Sequence, residues 1–328
     1  MDGLTTYQLA VIALGAIFFG VWLLVKGGDL TIDSAVRIAE RSGLSKMFIA
    51  ATIVAFGTSA PELFTSVNAN ISGFAGISVG NVIGSNIANV LMVIGISAMI
   101  APIVFDRKKA QVDTLVMILA TVAMAVAVWA GLLPRWAGLA MVFAIVAYVT
   151  YQYKASKIEV DEDDEGEDAS PGNPFVMVTI GIATLVIGSE VLVQGAVAGG
   201  FALGVPEAVI GMTVIAFGTS LPELTASVAA ARKGQSDMII GGIVGSNIFN
   251  ILSVMAITAV VKPLVIDPRF GQFDLLIVLA VTFVFALFLL FVGRIGRIAG
   301  GIMAVSYLLF TFAQYSGVAD AFVGVAAP

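Results

Sequence analysis

The sequence predicts an all-α polytopic membrane protein: ten transmembrane helices arranged as two inverted five-helix repeats. Three observations predict this. First, hydrophobic residues make up 59% of the 328-residue chain and charged residues only 12%, with a mean hydropathy of +1.04. Soluble domains carry about a quarter charged residues, so a chain this apolar needs lipid as its solvent. Second, the basic residues segregate between alternate loops. Third, two polar motifs recur at one constant separation.

The apolar runs, bounded by charges and Gly/Pro clusters, place the spans at about 7–25, 47–69, 75–101, 111–131, 136–153, 174–199, 206–230, 237–261, 272–292 and 297–316. Lipid requires every backbone polar group to be paired within its own segment or in a closed barrel. The period-2 alternation of a barrel is absent, so the spans are read as helices. The first positive charge is Lys26, which leaves the N-terminus without the basic region of a cleavable signal peptide; the first span is read as a retained helix.

Loops that follow odd-numbered spans hold 13 of the 16 Lys and Arg: Lys26, Arg37, Arg41, Lys46, Arg107, Lys108, Lys109, Lys154, Lys157, Arg232, Lys233, Arg294 and Arg297. The opposite loops hold only Arg135, Lys262 and Arg269. By the positive-inside rule the first group faces the cytoplasm, and both termini are expected to be extracellular in a multi-pass cell (plasma) membrane protein. Removing one span would scramble the segregation.

Lys154–Asn173 differs from the rest. It is polar and carries eight of the 22 acids between Glu159 and Asp168, the composition of a solvated linker. It divides the chain into a first repeat (1–153), an acidic cytoplasmic linker (154–173) and a second, inverted repeat (174–328).

The halves are related by sequence. Ala55–Leu63 reads AFGTSAPEL and Ala216–Leu224 reads AFGTSLPEL; Gly84–Leu91 reads GSNIANVL and Gly245–Leu252 reads GSNIFNIL. Both pairs are separated by 161 residues. Gly27 meets Gly188 and Asp29 meets Glu190 at the same offset. Five spans per half is an odd number, so the second half inserts upside down. In such folds the binding site lies near the midplane where the halves meet.

The motifs define the chemistry. With no Cys and no His, an ion site must use oxygen ligands, which suit hard cations such as Na⁺, Ca²⁺ and Mg²⁺. Glu62 and Glu223 sit inside apolar spans, where a carboxylate is costly unless paired or bound to an ion. Pro61 and Pro222 each remove a helical donor, freeing carbonyls near Gly57–Thr58 and Gly218–Thr219. Thr58, Ser59 and Glu62, and likewise Thr219, Ser220 and Glu223, share a helix face by their spacing. Ser85 and Asn89, and Ser246 and Asn250, are four apart and can face the same cage. Asn86 and Asn247 fit helix packing equally well. Asp29, Asp33, Asp113 and Glu190 are read as solvated or interfacial residues at span ends. No basic cluster is large enough for nucleic acid, and the acidic run lacks the spacing of a calcium loop.

At these residues the chain resembles the sodium/calcium exchanger family, of the cation/calcium antiporter superfamily, in its compact prokaryotic form. The resemblance covers nearly the whole sequence, because GTSxPE and GSNxxN occur twice, in order. It implies Na⁺/Ca²⁺ antiport by alternating access and no enzymatic activity. It implies that Glu62 and Glu223, with the Thr58 and Thr219 carbonyls, hold Ca²⁺. Ser59, Ser220, Ser85, Ser246 and the carbonyls of Ala55 and Ala216 complete flanking Na⁺ sites, and Asn89 and Asn250 line the middle. Potassium-dependent relatives commonly have Asp where Asn250 stands, so K⁺ co-transport is not expected. The expected partners are inorganic cations and the lipid bilayer; no cofactor, nucleic acid or protein partner is expected. A Ca²⁺/H⁺ antiporter of the same fold is the alternative, and a cation channel or an intramembrane hydrolase is a more remote one.

Overall fold

The computed structural model describes residues 6–156, 173–202, 216–271 and 273–316. Its helices, in chain order, are α1 (Thr6–Ser42), α2 (Lys46–Thr58), α3 (Ala60–Ile71), α4 (Ala75–Ile100), α5 (Arg107–Ala130), α6 (Arg135–Ala155), α7 (Pro174–Ala202), α8 (Ala216–Thr219), α9 (Leu221–Arg232), α10 (Ser236–Val261), α11 (Phe273–Val292) and α12 (Arg297–Tyr315). Among the described residues, eight helices are long and apolar enough to cross a membrane, and the pair α2–α3, bent by 42°, makes a ninth. The span expected at 206–230 is described only from residue 216, as α8 and α9. Its first part, 206–215, lies outside the described residues, as does most of the linker.

One edge differs clearly from the sequence reading. The first span was expected to end near residue 25, but α1 continues through Lys26, Asp29 and Asp33 to Ser42. Nothing between 26 and 42 forces a break, and Gly27 is needed where α1 crosses α7. A Cβ there would come within 2.9 Å of the Leu185 amide nitrogen and 3.0 Å of the Gly181 carbonyl. The helix stops where Gly43, at φ 63°, takes the left-handed conformation usual after a helix C-terminus.

The two-fold relation is visible in the contacts. Strand β1 (Ile103–Val104) pairs with β4 (Arg294–Ile295), and β2 (Leu132–Leu133) pairs with β3 (Leu264–Val265), all antiparallel. Exchanging the repeats converts one pair into the other. Arg135, at the start of α6, donates to the Val261 carbonyl at the end of α10. Arg297, at the start of α12, donates in the same way to Ile100 at the end of α4. Gly188 on α7 repeats the role of Gly27: its Cβ would lie 3.0 Å from the Leu24 nitrogen of α1. Lipid tails are as apolar as Leu, so close approach through small residues is what holds such helices together.

Burial separates scaffold from centre. Over an 18-residue stretch, α10 is 89% buried and α4 72%, against 11% in α12. The two helices that carry GSNIxN are therefore central, and α12 is lipid-facing, with Ile298 and Phe312 exposed. Trp129 and Trp136 flank the α5–α6 turn and are also exposed, as expected of an aromatic belt at a membrane surface.

Candidate functional site

The site is built on two helix breaks. Ser59 (φ −83°, ψ 7°) and Ser220 (φ −89°, ψ 3°) both leave helical geometry immediately before α3 and α9. Pro61 and Pro222 then occupy the first turn of the new helix, where a missing N–H does no harm. Ser-x-Pro-Glu at a helix start has the form of a capping box, yet neither serine caps its own helix. The Ser59 hydroxyl instead crosses to the other repeat and donates to Glu223 Oε1 at 3.2 Å. Glu62 and Glu223 are each the third residue of their helix, and each accepts its own backbone amide. Both are almost fully buried, at 1% and 3% exposure.

The pairing is reciprocal between halves. Glu223 of the second repeat is faced by Thr58 and Ser59 of the first and by Ser246 of its own, whose hydroxyl lies 3.5 Å from Oε1. Glu62 of the first repeat is faced by Thr219 of the second, and the two carboxylates are close enough to repel. Among the described residues no three or more His, Cys, Asp or Glu are grouped so that they could hold a metal ion. The cage therefore carries two formal charges and is otherwise neutral.

Of the residues predicted from the sequence, Glu62, Glu223, Thr58, Thr219, Ser59, Ser220, Ser85, Ser246, Asn89, Asn250 and Ala55 are all buried. Six oxygens from this set have no hydrogen-bond partner in the protein: Glu62 Oε2, Glu223 Oε2, Ser85 Oγ, Ser220 Oγ, Asn89 Oδ1 and Asn250 Oδ1. A buried polar atom without a partner costs about 1–3 kcal/mol; oxygens of this kind are ligands suited to a hard cation, although Ser78, Asn86, Ser97 and Thr258 also carry partnerless buried atoms. Asn89 and Asn250 each begin a π-helical turn, Asn89–Ile94 and Asn250–Met255, an irregularity frequent at functional sites. Asn89 Nδ2 donates to Asn247 Oδ1 at 3.1 Å, which leaves its own Oδ1 for the cage. Asn247 thus orients a neighbour across the repeat interface.

The backbone carbonyls divide. Ala55 O already accepts the Ser59 amide at 3.0 Å and the Thr58 hydroxyl at 3.3 Å. In the second repeat the Ser220 amide turns to Phe217 O, and Ala216 is placed only through its backbone. The expectation that both proline-freed carbonyls are available needs correction. Pro222 frees Gly218 O, but the Ser189 hydroxyl of α7 takes it. Residue 28, the equivalent of Ser189, is glycine.

A second correction concerns Asp113. It is not solvated at a span end but 1% exposed, and its Oδ1 accepts from the Tyr148 hydroxyl at 2.9 Å and from Gln152 on α6. Its repeat counterpart Asp274, 6% exposed, accepts from Gln314 on α12. Charge-assisted bonds of this kind offset part of the cost of burying a carboxylate. Asp33 and Asp29 do lie at an accessible end, at 2.5 Å and 3.9 Å from Lys233 Nζ, and Glu190 is exposed.

Sequence reading missed Asn81. Its Nδ2 donates to Glu62 O at 3.2 Å and to Ser66 Oγ at 3.0 Å, and its Oδ1 accepts the Thr219 hydroxyl at 3.4 Å. The available signal was spacing: Asn81, Ser85 and Asn89 are successive residues on one helix face.

Inverted repeats that meet at two buried carboxylates among hydroxyls and carboxamides have the form of a polytopic ion transporter. The model of the sodium/calcium exchanger protein family matches residues 12–154 and 173–316, and the chain belongs to that family. It is similar to an uncharacterized membrane protein of Methanocaldococcus jannaschii, with 36% identity over 76% of this chain and 82% of the relative. It is also similar to the sodium/calcium exchanger MaX1 of Methanosarcina acetivorans, with 30% identity over 93% and 97%. Among solved structures, the sodium-calcium exchanger NCX_Mj superposes with a TM-score of 0.81 at 32% identity, covering 91% of this chain and 97% of that one.

Proposed function

We propose that this protein is a secondary active antiporter that exchanges Na⁺ for Ca²⁺ by alternating access, with both ions bound at the midplane cage. The observation that carries the reading is the set of six partnerless buried oxygens on Glu62, Glu223, Ser85, Ser220, Asn89 and Asn250. In this reading the Ca²⁺ position lies between the carboxylates of Glu62 and Glu223, with carbonyl help from Thr58 and Thr219. Na⁺ ions occupy flanking positions at Ser59, Ser85, Ser220, Ser246 and the carbonyls of Ala55 and Ala216, with Asn89 and Asn250 between them.

The electrostatics give the coupling. Two fixed negative charges in a water-poor interior oppose any movement that carries them past apolar helices. One Ca²⁺, or several Na⁺, neutralises them. Only the loaded protein then reorients, so the two fluxes are obligatorily linked. α1 and α7, which cross through Gly27 and Gly188 and border the cage, are the moving gate in this reading. The repeats are taken as 1–153 and 174–328 around the acidic linker 154–173, with the basic loops cytoplasmic and both termini outside. The presence of MaX1 and NCX_Mj, both named as sodium/calcium exchangers, among the relatives supports the choice of ions.

The test is uptake of radioactive Ca²⁺ into Na⁺-loaded proteoliposomes. The proposal requires uptake that needs an outward Na⁺ gradient and persists when the pH gradient is collapsed. Uptake that follows the pH gradient and ignores Na⁺ would assign Ca²⁺/H⁺ exchange instead. Currents without an obligatory counter-ion would assign a channel.

A further inference from the structure

The repeats are not equivalent around the cage, and the difference centres on one position. Asn81 and Gly242 correspond at the repeat offset. Asn81 binds three groups at once: the Glu62 carbonyl, the Ser66 hydroxyl and the Thr219 hydroxyl. The counterparts of those groups are Glu223, Ser227 and Thr58, and all three are present around Gly242. Only the carboxamide is missing. In its place is a small cavity of about 10 Å³, close to the space that one water needs, whose walls include Ile32, Thr58, Glu223, Ser227, Gly242 and Ser246. A Cβ added at Gly242 would meet nothing within 4 Å.

The cavity has a direction. Glu223 and Ser227 are successive turns of α9 running toward Arg232, and Ser246 and Gly242 are successive turns of α10 running back toward Ser236. The walls thus lead from the Glu223 carboxylate to the α9–α10 turn, which carries Arg232 and Lys233. This is the face with the basic loops. At the equivalent place in the first repeat, Ser66 is held by the Asn81 amide and is 0% exposed, whereas Ser227, itself buried at 6%, has the cavity beside it.

Resting on the antiporter reading above, we propose that the Asn81/Gly242 difference sets the sidedness of ion access. Asn81 is a positioning residue that ties α4 to Glu62 and Thr219 and closes the space beside Ser66. Gly242 leaves a water-sized port beside Glu223 and Ser227, through which a cation that exchanges its water for the oxygens of Glu223, Ser227 and Ser246 reaches the cage from the basic face. An amide at residue 242 would meet the same three partner types that Asn81 meets, so the port is one side chain away from being closed.

The test uses the cysteine-free chain as it exists. Single variants Ser227→Cys and Ser66→Cys are reconstituted in proteoliposomes and treated with a membrane-impermeant thiol reagent from each side, with and without saturating Ca²⁺. Thiol modification reports access directly. Ser227→Cys is expected to react from the basic face, to be protected by Ca²⁺, and to react about tenfold more slowly once Gly242→Asn is added. Gly242→Ala, which the open space tolerates, is expected to give a smaller slowing. Ser66→Cys is expected to react more slowly than Ser227→Cys and to accelerate when Asn81→Gly is added. Equal reactivity of the two cysteines, or no effect of either Gly242 substitution on Ser227→Cys, overturns the proposal. Na⁺-driven Ca²⁺ uptake by the unmodified protein is measured in parallel. Loss of that flux sinks the antiporter reading, whereas normal flux with symmetric labelling sinks only the port.

Discussion

Glu223→Gln removes one of the two cage charges while keeping the shape of the side chain. In the structure, Glu223 Oε1 is met by the Ser59 and Ser246 hydroxyls, and Oε2 has no protein partner. The amide of glutamine keeps an acceptor for the two serines. Its NH₂ then replaces the unpartnered oxygen, so a cation faces a donor instead of half a negative charge. Removing one member of a buried charge pair costs about 3–5 kcal/mol, which is roughly two to three and a half decades in Kd. Coulomb attraction scales with ion charge at a given distance, so Na⁺ is expected to lose about half as many decades as Ca²⁺. Relief of the repulsion between Glu62 and Glu223 has the opposite effect on the ion-free protein, which is expected to be as stable as the parent or more so. The assays are Ca²⁺ and Na⁺ titrations by calorimetry in detergent, thermal unfolding with and without Ca²⁺, and Na⁺-driven uptake. Binding of Ca²⁺ normally adds about 2.7 kcal/mol at a hundredfold excess over Kd; the variant is expected to lose most of that increment at the same concentration. A Glu223→Gln protein that binds and transports Ca²⁺ within about threefold of the parent (under 1 kcal/mol) refutes the cage.

Three further outcomes follow from particular contacts. Asn250→Asp adds a third carboxylate where both amide atoms now lack partners; it is expected to tighten Ca²⁺ binding by about tenfold or more, in keeping with the charge count of oxygen sites, measured by the same titration. Gly27→Leu drives a side chain into the Leu185 amide and the Gly181 carbonyl; overpacking of this kind costs about 1–3 kcal/mol, seen as a lower unfolding temperature and, because α1 and α7 can no longer approach, loss of flux. Asp113→Ala leaves the Tyr148 hydroxyl and Gln152 amide facing an apolar hole and is expected to cost about 2–4 kcal/mol of stability. Because Asp113 bonds to Tyr148 and Gln152 and to none of the cage residues, the half-saturation for Ca²⁺ is expected to stay unchanged; a large rise in it would place Asp113 in ion handling.

The sequence alone determined the solvent, the helical class, the two-fold repeat and which polar residue types are buried. Each of these is a one-dimensional property: apolar run length, segregation of Lys and Arg, a constant offset, and the cost of a carboxylate in lipid. It even determined that an odd number of spans per half forces inversion, which β1–β4 and β2–β3 pairing and the Arg135 and Arg297 caps display in space. What only the tertiary structure decided is how the halves meet. Ser59 gives up its local cap for a carboxylate 164 residues away, and Ser189 takes the carbonyl that Pro222 frees. Asp113 looked like a span-end charge because its partners, Tyr148 and Gln152, lie on another helix. Asn81 has a glycine, Gly242, as its repeat counterpart and so fell outside every motif, although its three bonds hold the Glu62 side together. Spacing along a helix states which face a residue occupies, but a partner on a different helix becomes a contact only when the helices pack. That packing depends on small residues such as Gly27 and Gly188, which let backbones approach and which carry no signal of the polar groups they bring together.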